Sequence, residues 1–344
     1  MEHYSPADNL LPLLDSIEMK YAYKGPWGEE DVKAMRSDLD RLLGDKPERR
    51  DPEWRTVSVS DRGSYFEKEI VFLSEENAEV PCYLLVPKAL QGKAPVMICL
   101  QGHTSGMHIS LGRPLYPGDE RWTDEGSRSF GLQAVSRGYI ALVLEQRSMG
   151  MRKDTRPEEV REDKRPCHFA AMVSLLIGRT LIGERVWDIS RALDVLETMD
   201  EVDPSRIYIM GTSGGGTASF FASCMEERIA GLICSCAFCS MKQSIGRIDH
   251  CDCNYIPGIM KYFDMGELSA LIAPRPVVIV AGREDHIFPY EGVLSAYSVL
   301  ERIYKDKGAG DRCRLVTGPA GHKFYPELAW PEFTSLLQEA MLRP

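Results

Sequence analysis

The chain has 344 residues, 44% of them apolar and 27% charged, which excludes disordered, collagen-like and low-complexity classes and suits one large folded domain with or without an appendage. Its formal net charge of −10 and isoelectric point near 5.3 give no electrostatic basis for holding nucleic acid or an anionic membrane.

The opening stretch MEHYSPADNLLPLLDSIEMK carries acids where a signal peptide needs basic residues, and LLPLL is too short for a signal core or a membrane span, so a cytoplasmic location is expected. Residues 1–60 read as a helical N-terminal extension. EEDVKAMRSDLDRLLGD has apolar residues at helical spacing, and DKPERRDPEW then breaks the pattern with prolines and charges. Residues 61–344 form the main domain. It opens with a hairpin, SYFEKEIVFLS and VPCYLLVP joined across EENAE. Strand-like runs follow at APVMICLQ, GYIALVLEQ, RIYIMG, IAGLICSCAF, RPVVIVAG and CRLVTG, separated by helix-like segments such as VWDISRALDVLETMD, GGTASFFASCMEE, YEGVLSAYSVLERIY and PELAWPEFTSLLQEAML. This alternation predicts an α/β fold, a mostly parallel central sheet with helices on both faces.

Ten cysteines in a chain long enough to bury its own core are expected to be reduced. Cys234, Cys236, Cys239, Cys251 and Cys253, with Cys224 upstream and His250 among them, raise the question of a metal. Their spacing is not that of the usual zinc pairs. Cys234 and Cys236 lie on a strand-like apolar run, where small buried thiols are the ordinary expectation, so no metal is expected.

The strand RIYIM runs into Gly211-Thr212-Ser213-Gly214-Gly215-Gly216 and then into a helix, the strand–turn–helix context that gives G-x-S-x-G its meaning. A nucleophile on so tight a turn needs small neighbours, and the serine would project from the carboxyl edge of the sheet. The competing reading is a glycine-rich helix start that binds an anion or merely turns, though no Gly-Lys-Ser follows. A serine needs a base and a group that orients it. Asp285 follows the strand RPVVIVAG, with Glu284 as reserve. His322 follows the last strand, CRLVTG, directly after Gly321, with His286 as its competitor. Ser, Asp and His therefore stand in the order of an α/β-hydrolase. An oxyanion needs two N–H donors, expected from the backbone of Gly214 and of His103 in the loop Gln101-Gly102-His103-Thr104. The side chains of Gln101 and His103 could touch substrate or simply build the loop.

With these residues the chain resembles the α/β-hydrolase superfamily, in its acetyl xylan esterase-like and dienelactone hydrolase-like branch related to prolyl-oligopeptidase catalytic domains. LQGHTSG, ERVWDISRALDVLETMDEVDPSRIYIMGTSGGG, HCDCNYIPGI, LIAPRPVVIVAGREDHIFP and the terminal AGH carry the resemblance, over about residues 64–344. It implies a catalytic domain performing serine-dependent ester hydrolysis through an acyl-enzyme, without a metal or organic cofactor, with Ser213 as nucleophile, His322 as general base and acid, and Asp285 as its orienting partner. The expected substrate is a small acetylated carbohydrate. Type dienelactone hydrolases use a cysteine where this chain has Ser213.

The long connections 104–126 and 240–268 are expected to shape the pocket. Tyr255, Arg113 and Arg247 are candidate substrate contacts, the arginines as carboxylate readers or as surface ion pairs. Glu145-Gln146-Arg147 could line the same edge, and Trp187-Asp188 reads as packing with a helix-face hydrogen bond. The expected partner is a small-molecule ester, with homo-oligomerisation left open. A peptidase or amide hydrolase with the same triad and a non-catalytic binding protein of the same fold are the alternatives.

Overall fold

The computed structural model describes residues 4–123, 127–154 and 165–342. The N-terminal segment contributes α1 (Ala7–Ser16) and α2 (Glu29–Leu43). Helix α2 begins with three acids that complement its dipole and buries Met35, Leu39, Leu42 and Leu43, an apolar stripe at helical spacing. That stripe packs on the chain's own main domain. Thr180 Oγ1 donates to Leu43 O at 2.7 Å, Arg36 pairs with Glu227 at 2.9 Å, and Tyr21 stacks on Phe263 with ring centres 5.0 Å apart. Helix α1 buries no residue.

The sheet begins with β1 (Trp54–Asp61), a strand inside the segment that the sequence reads as helical extension. It has no buried residue, pairs only with its neighbour, and forms one edge of the sheet, so it lacks the buried stripe that makes other strands visible in the sequence. Next comes the hairpin of β2 (Tyr65–Glu75) and β3 (Ala78–Pro87), whose turn places Asn77 at φ 61°.

From there strands and helices alternate. The order is β4 (Ala94–Leu100), α3 (Glu120–Thr123), α4 (Phe130–Val135), β5 (Ile140–Leu144), α5 (His168–Leu176), α6 (Leu181–Glu197), β6 (Val202–Thr212), α7 (Gly214–Met225) and β7 (Ile229–Ser235). It continues through α8 (Met265–Leu268), β8 (Val277–Gly282), α9 (Tyr290–Asp306), β9 (Cys313–Gly318) and α10 (Pro326–Leu342). The sheet order is β1-β2-β3-β5-β4-β6-β7-β8-β9. The run from β5 to β9 is parallel and the β1–β2, β2–β3 and β3–β5 pairs are antiparallel.

The inner parallel strands β4, β5, β7 and β8 read as near-continuous apolar runs because both faces are covered. Val96, Ile98 and Leu100 of β4 point into a core shared with α2, α6, α7 and α9, whereas Met97 and Cys99 point into a second core with Phe130 of α4 and Trp330 and Phe333 of α10. The chain leaves β4 for β5 on one side and returns to β6 on the other, so β4 and β6 flank the point where winding reverses, the place where open α/β sheets bind ligands. Register puts Leu100 beside Gly211 and Gly282 beside Gly318, so the loops after β4, β6, β8 and β9 leave the same edge. Among the described residues no helix is long and apolar enough to cross a membrane.

Candidate active site

Ser213 sits between the end of β6 and the start of α7 with φ 54° and ψ −126°, a conformation that side-chain-bearing residues rarely adopt and that costs about 1–3 kcal/mol. Its surroundings enforce it. An added Cβ at Gly211 would fall 2.3 Å from Gly215 O, one at Gly215 would fall 2.4 Å from both Leu100 O and Gln101 O, and one at Gly216 would fall 2.7 Å from Ser235 O. Backbone bonds pin the turn from both sides, Ser213 N to Ser235 O at 2.9 Å and Thr217 N to Ser213 O at 2.8 Å.

Asp285 lies in the loop after β8, only 4% exposed. One carboxylate oxygen accepts from the amides of Ile287 (2.9 Å) and Phe288 (3.0 Å), and the other meets His322 Nδ1 at 2.8 Å. Burial alone would raise this carboxyl, but the His322 contact and the two amides outweigh it and hold Asp285 below the ordinary carboxylate range. The β8 and β9 loops touch closely enough for this, since a Cβ on Gly282 would fall 2.0 Å from Gly321 O. Phe288 stacks on the His322 ring at 5.8 Å and 14°, and His250 meets the Phe288 ring edge-on while its Nε2 contacts Ile287 O at 3.1 Å. The thiol of Cys236 donates to Lys323 O at 3.2 Å beside this pair. Burial pushes it up to about 12, which keeps it neutral and un-nucleophilic.

The loop after β4 lies against the serine. A Cβ on Gly102 would come within 2.9 Å of both Thr212 O and Ser213 Cβ, and one on Gly214 would come 2.8 Å from His103 Cε1. Neither the His103 nor the Gly214 N–H has an acceptor among the described residues. A cleft of about 420 Å³ opens here, lined by His103, Thr104, Tyr116, Ser148, Met149 and Lys153 among others.

The other sequence-predicted contacts lie elsewhere. Gln101 is buried, and its amide donates to Arg128 O at 2.7 Å, so it frames the loop instead of facing substrate. Arg113 is clamped by both carboxylate oxygens of Glu67 on β2, and Arg247 pairs with Asp15 of the N-terminal segment, so each is a structural ion pair. Tyr255 hydrogen-bonds Ile245 O at 3.3 Å and lines a separate groove with Leu14 and Ile17. Arg147 and Arg152 both bind the buried Asp188 carboxylate, and Trp187 Nε1 donates to Ser74 O at 2.9 Å, so this stretch is a buried ion network.

Sequence reasoning missed two arrangements. In the long β4 connection, Asp119 accepts from the amides of Leu115 and Tyr116 and contacts Ser105 and His108, which folds the loop onto itself and holds its carboxyl at about 2. Near the elbow, the His103 ring faces Cys167, Cys251 and Cys253, with all ligand-type atoms within 4.8 Å of one another. These are potential ligands that the sequence reading, with its expectation of no metal, did not bring together. The signal of this gathering is a C-x-C pair whose remaining partners are remote in sequence. His250 and Cys234 are not part of it.

Glu145, at the end of β5, is buried beneath this edge and accepts from Met107 N at 3.1 Å and Met151 N at 3.2 Å. Burial raises its carboxyl to about 7 despite those amides and Arg152. A carboxyl whose folded value lies above its unfolded 4.5 contributes stability that is complete below 4.5 and is lost as pH rises through about 7. Glu145→Gln keeps an acceptor for the amides and cannot ionise. We expect its stability relative to wild type to improve between pH 4.5 and 8 by on the order of 2–3 kcal/mol, read from denaturant midpoints across that range. A difference that does not vary with pH would refute this.

The family model described as acetyl xylan esterase (AXE1) matches residues 67–270. The "Putative hydrolase YtaP" of Bacillus subtilis (strain 168) is 27% identical over 292 residues, covering 83% of this chain and 92% of that protein. Among solved structures, a "putative acetyl xylan esterase" from Bacteroides fragilis NCTC 9343 superposes with a TM-score of 0.79 at 17% identity over 97% of this chain and 96% of its own. A glucuronoyl esterase from Solibacter usitatus does so at 0.67 and 18% over 94% and 98%. These likenesses show the α/β-hydrolase fold.

Proposed function

Since the chain belongs to the acetyl xylan esterase family and is a serine carboxylic-ester hydrolase, we propose that it removes acetyl groups from small carbohydrates, with Ser213 as nucleophile, His322 as base and Asp285 as the group that orients it. The observation that carries this reading is the 2.8 Å contact from His322 Nδ1 to a buried Asp285, on loops leaving the edge where the strained Ser213 projects. With Nδ1–H given to the carboxylate, Nε2 is left to accept a proton. Ser213 Oγ attacks the acetyl carbonyl carbon and its proton passes to His322 Nε2. The N–H groups of Gly214 and His103 take the oxyanion, and the sugar hydroxyl leaves with the proton. Water then repeats the sequence on the acetyl-enzyme. Asp285 remains a carboxylate throughout.

The hydroxyls of Thr104, Tyr116 and Ser148 and the ammonium of Lys153, set around Met149 in a cleft of about 420 Å³, support a polyhydroxylated substrate of sugar size. Ten unpaired thiols support a reducing compartment such as the cytoplasm. The test compares p-nitrophenyl acetate, a longer acyl ester and an aryl anilide. Turnover is expected to fall steeply from acetate to the long ester and to be weakest on the anilide. Anilide turnover comparable to that of acetate would favour an amide hydrolase, and no labelling by an organophosphorus serine probe would favour a binding protein.

A further inference from the structure

Four potential ligands from separate parts of the chain meet beside the elbow: His103 after β4, Cys167 at the start of α5, and Cys251 and Cys253 in the connection after β7. His103 Nε2 stands 3.5 Å from Cys167 Sγ and 3.4 Å from Cys253 Sγ, and all four ligand atoms lie within 4.8 Å of one another. A tetrahedral zinc ion with Zn–S of about 2.3 Å and Zn–N of about 2.0–2.1 Å requires N···S edges of about 3.5 Å and S···S edges of about 3.8 Å. The N···S spacings to Cys167 and Cys253 match.

A second observation comes from Arg185 of α6. It is 2% exposed, its Nη2 lies 3.2 Å from Cys167 Sγ, its other bonds go to Arg147 O, and it has no carboxylate partner among the described residues. A guanidinium buried against neutral thiols is an uncompensated charge, which proteins rarely tolerate. Three thiolates, one neutral imidazole and one Zn²⁺ sum to a single negative charge, which Arg185 balances. Ordinary core thiols, the expectation for the strand cysteines, require neither the imidazole nor the cation.

We propose that this chain binds one Zn²⁺ through His103 Nε2 and the sulfurs of Cys167, Cys251 and Cys253. Binding forms three Zn–S bonds and one Zn–N bond and releases three thiol protons, with no change in oxidation state. Four protein ligands close the coordination shell, so the ion is structural. It ties the β4 loop, the start of α5 and the β7 connection together, and it fixes the imidazole that lies on Gly214. The consequence for catalysis rests on the oxyanion role given above to the His103 backbone. The binding itself does not.

The experiment uses the full chain purified without a polyhistidine tag. Metal content is measured as isolated, and the reduced, chelator-stripped protein is titrated with Co²⁺. One zinc per chain is expected, together with thiolate-to-cobalt charge-transfer and tetrahedral ligand-field bands that saturate at one equivalent and vanish on adding Zn²⁺. Cys167→Ala and Cys253→Ala should each weaken the charge-transfer intensity, and Arg185→Gln, which touches no metal, should lower affinity by about 10–100-fold. Should a variant fail to fold, the wild-type spectrum still decides. Absence of the bands in reduced wild-type protein, bands unchanged in both cysteine variants, or a disulfide among the three cysteines trapped by alkylation at lysis would each overturn the proposal. None of these readouts requires substrate, so they are separable from failure of the esterase reading.

Discussion

Ser213→Ala is expected to lower kcat for p-nitrophenyl acetate by on the order of 10⁵- to 10⁶-fold while leaving substrate affinity and stability close to wild type. The size follows from the unit nature of the triad. Without Oγ no acyl-enzyme forms, and His322 and Asp285 then have nothing to activate except water, leaving only what the oxyanion donors and binding supply. Stability should be spared because Ala keeps both backbone bonds of the turn, Ser213 N to Ser235 O and Thr217 N to Ser213 O, and fills the same space. Ser213→Gly separates the two costs further. Glycine adopts φ 54° freely, so this variant should be equally inactive yet more stable than Ser213→Ala by about 1 kcal/mol, measured by denaturant unfolding. Both variants retaining more than about one-hundredth of wild-type kcat would remove Ser213 from the reaction.

The sheet and its helices were legible because their signals are local. Strands β4, β5, β7 and β8 and the second half of β6 are apolar runs, β9 carries a shorter one, and α6, α7, α9 and α10 follow as helical segments between or after them. The tight turn at Ser213 was legible for a steric reason written into three consecutive glycines, each of whose Cβ atoms would collide with backbone or a neighbouring side chain. What stayed hidden depends on contacts between distant residues. Arg113 and Arg247 look like substrate readers until Glu67 and Asp15 are seen to hold them. Gln101 opens the loop after β4 that carries His103, yet its side chain turns into the protein. Cys251 and Cys253 advertise a pair, but their companions, Cys167 and His103, lie on other loops, and no spacing rule spans such a gap. The edge strand β1 was hidden for the opposite reason, since it buries nothing.

Asp285→Asn isolates the orienting role without dismantling the loop, and it should reduce kcat for the acetate ester by on the order of 10⁴-fold with little change in KM. The asparagine keeps an oxygen for the amides of Ile287 and Phe288, which now hold Asp285 at 2.9 and 3.0 Å, so the turn survives. Its other atom becomes an NH₂ facing His322 Nδ1. That nitrogen must then accept, the proton moves to Nε2, and the imidazole can no longer take the proton of Ser213. The linkage sign runs the same way in a stability measurement. Because the folded Asp285 lies below its unfolded value, its contribution is present above the ordinary carboxylate range and is lost as pH falls through the folded value, so wild type should exceed Asp285→Asn in stability at neutral pH and converge with it in acid. Full activity in Asp285→Asn, or a stability difference that grows toward acid, would move the orienting role to another carboxylate, with Glu284 the first to examine.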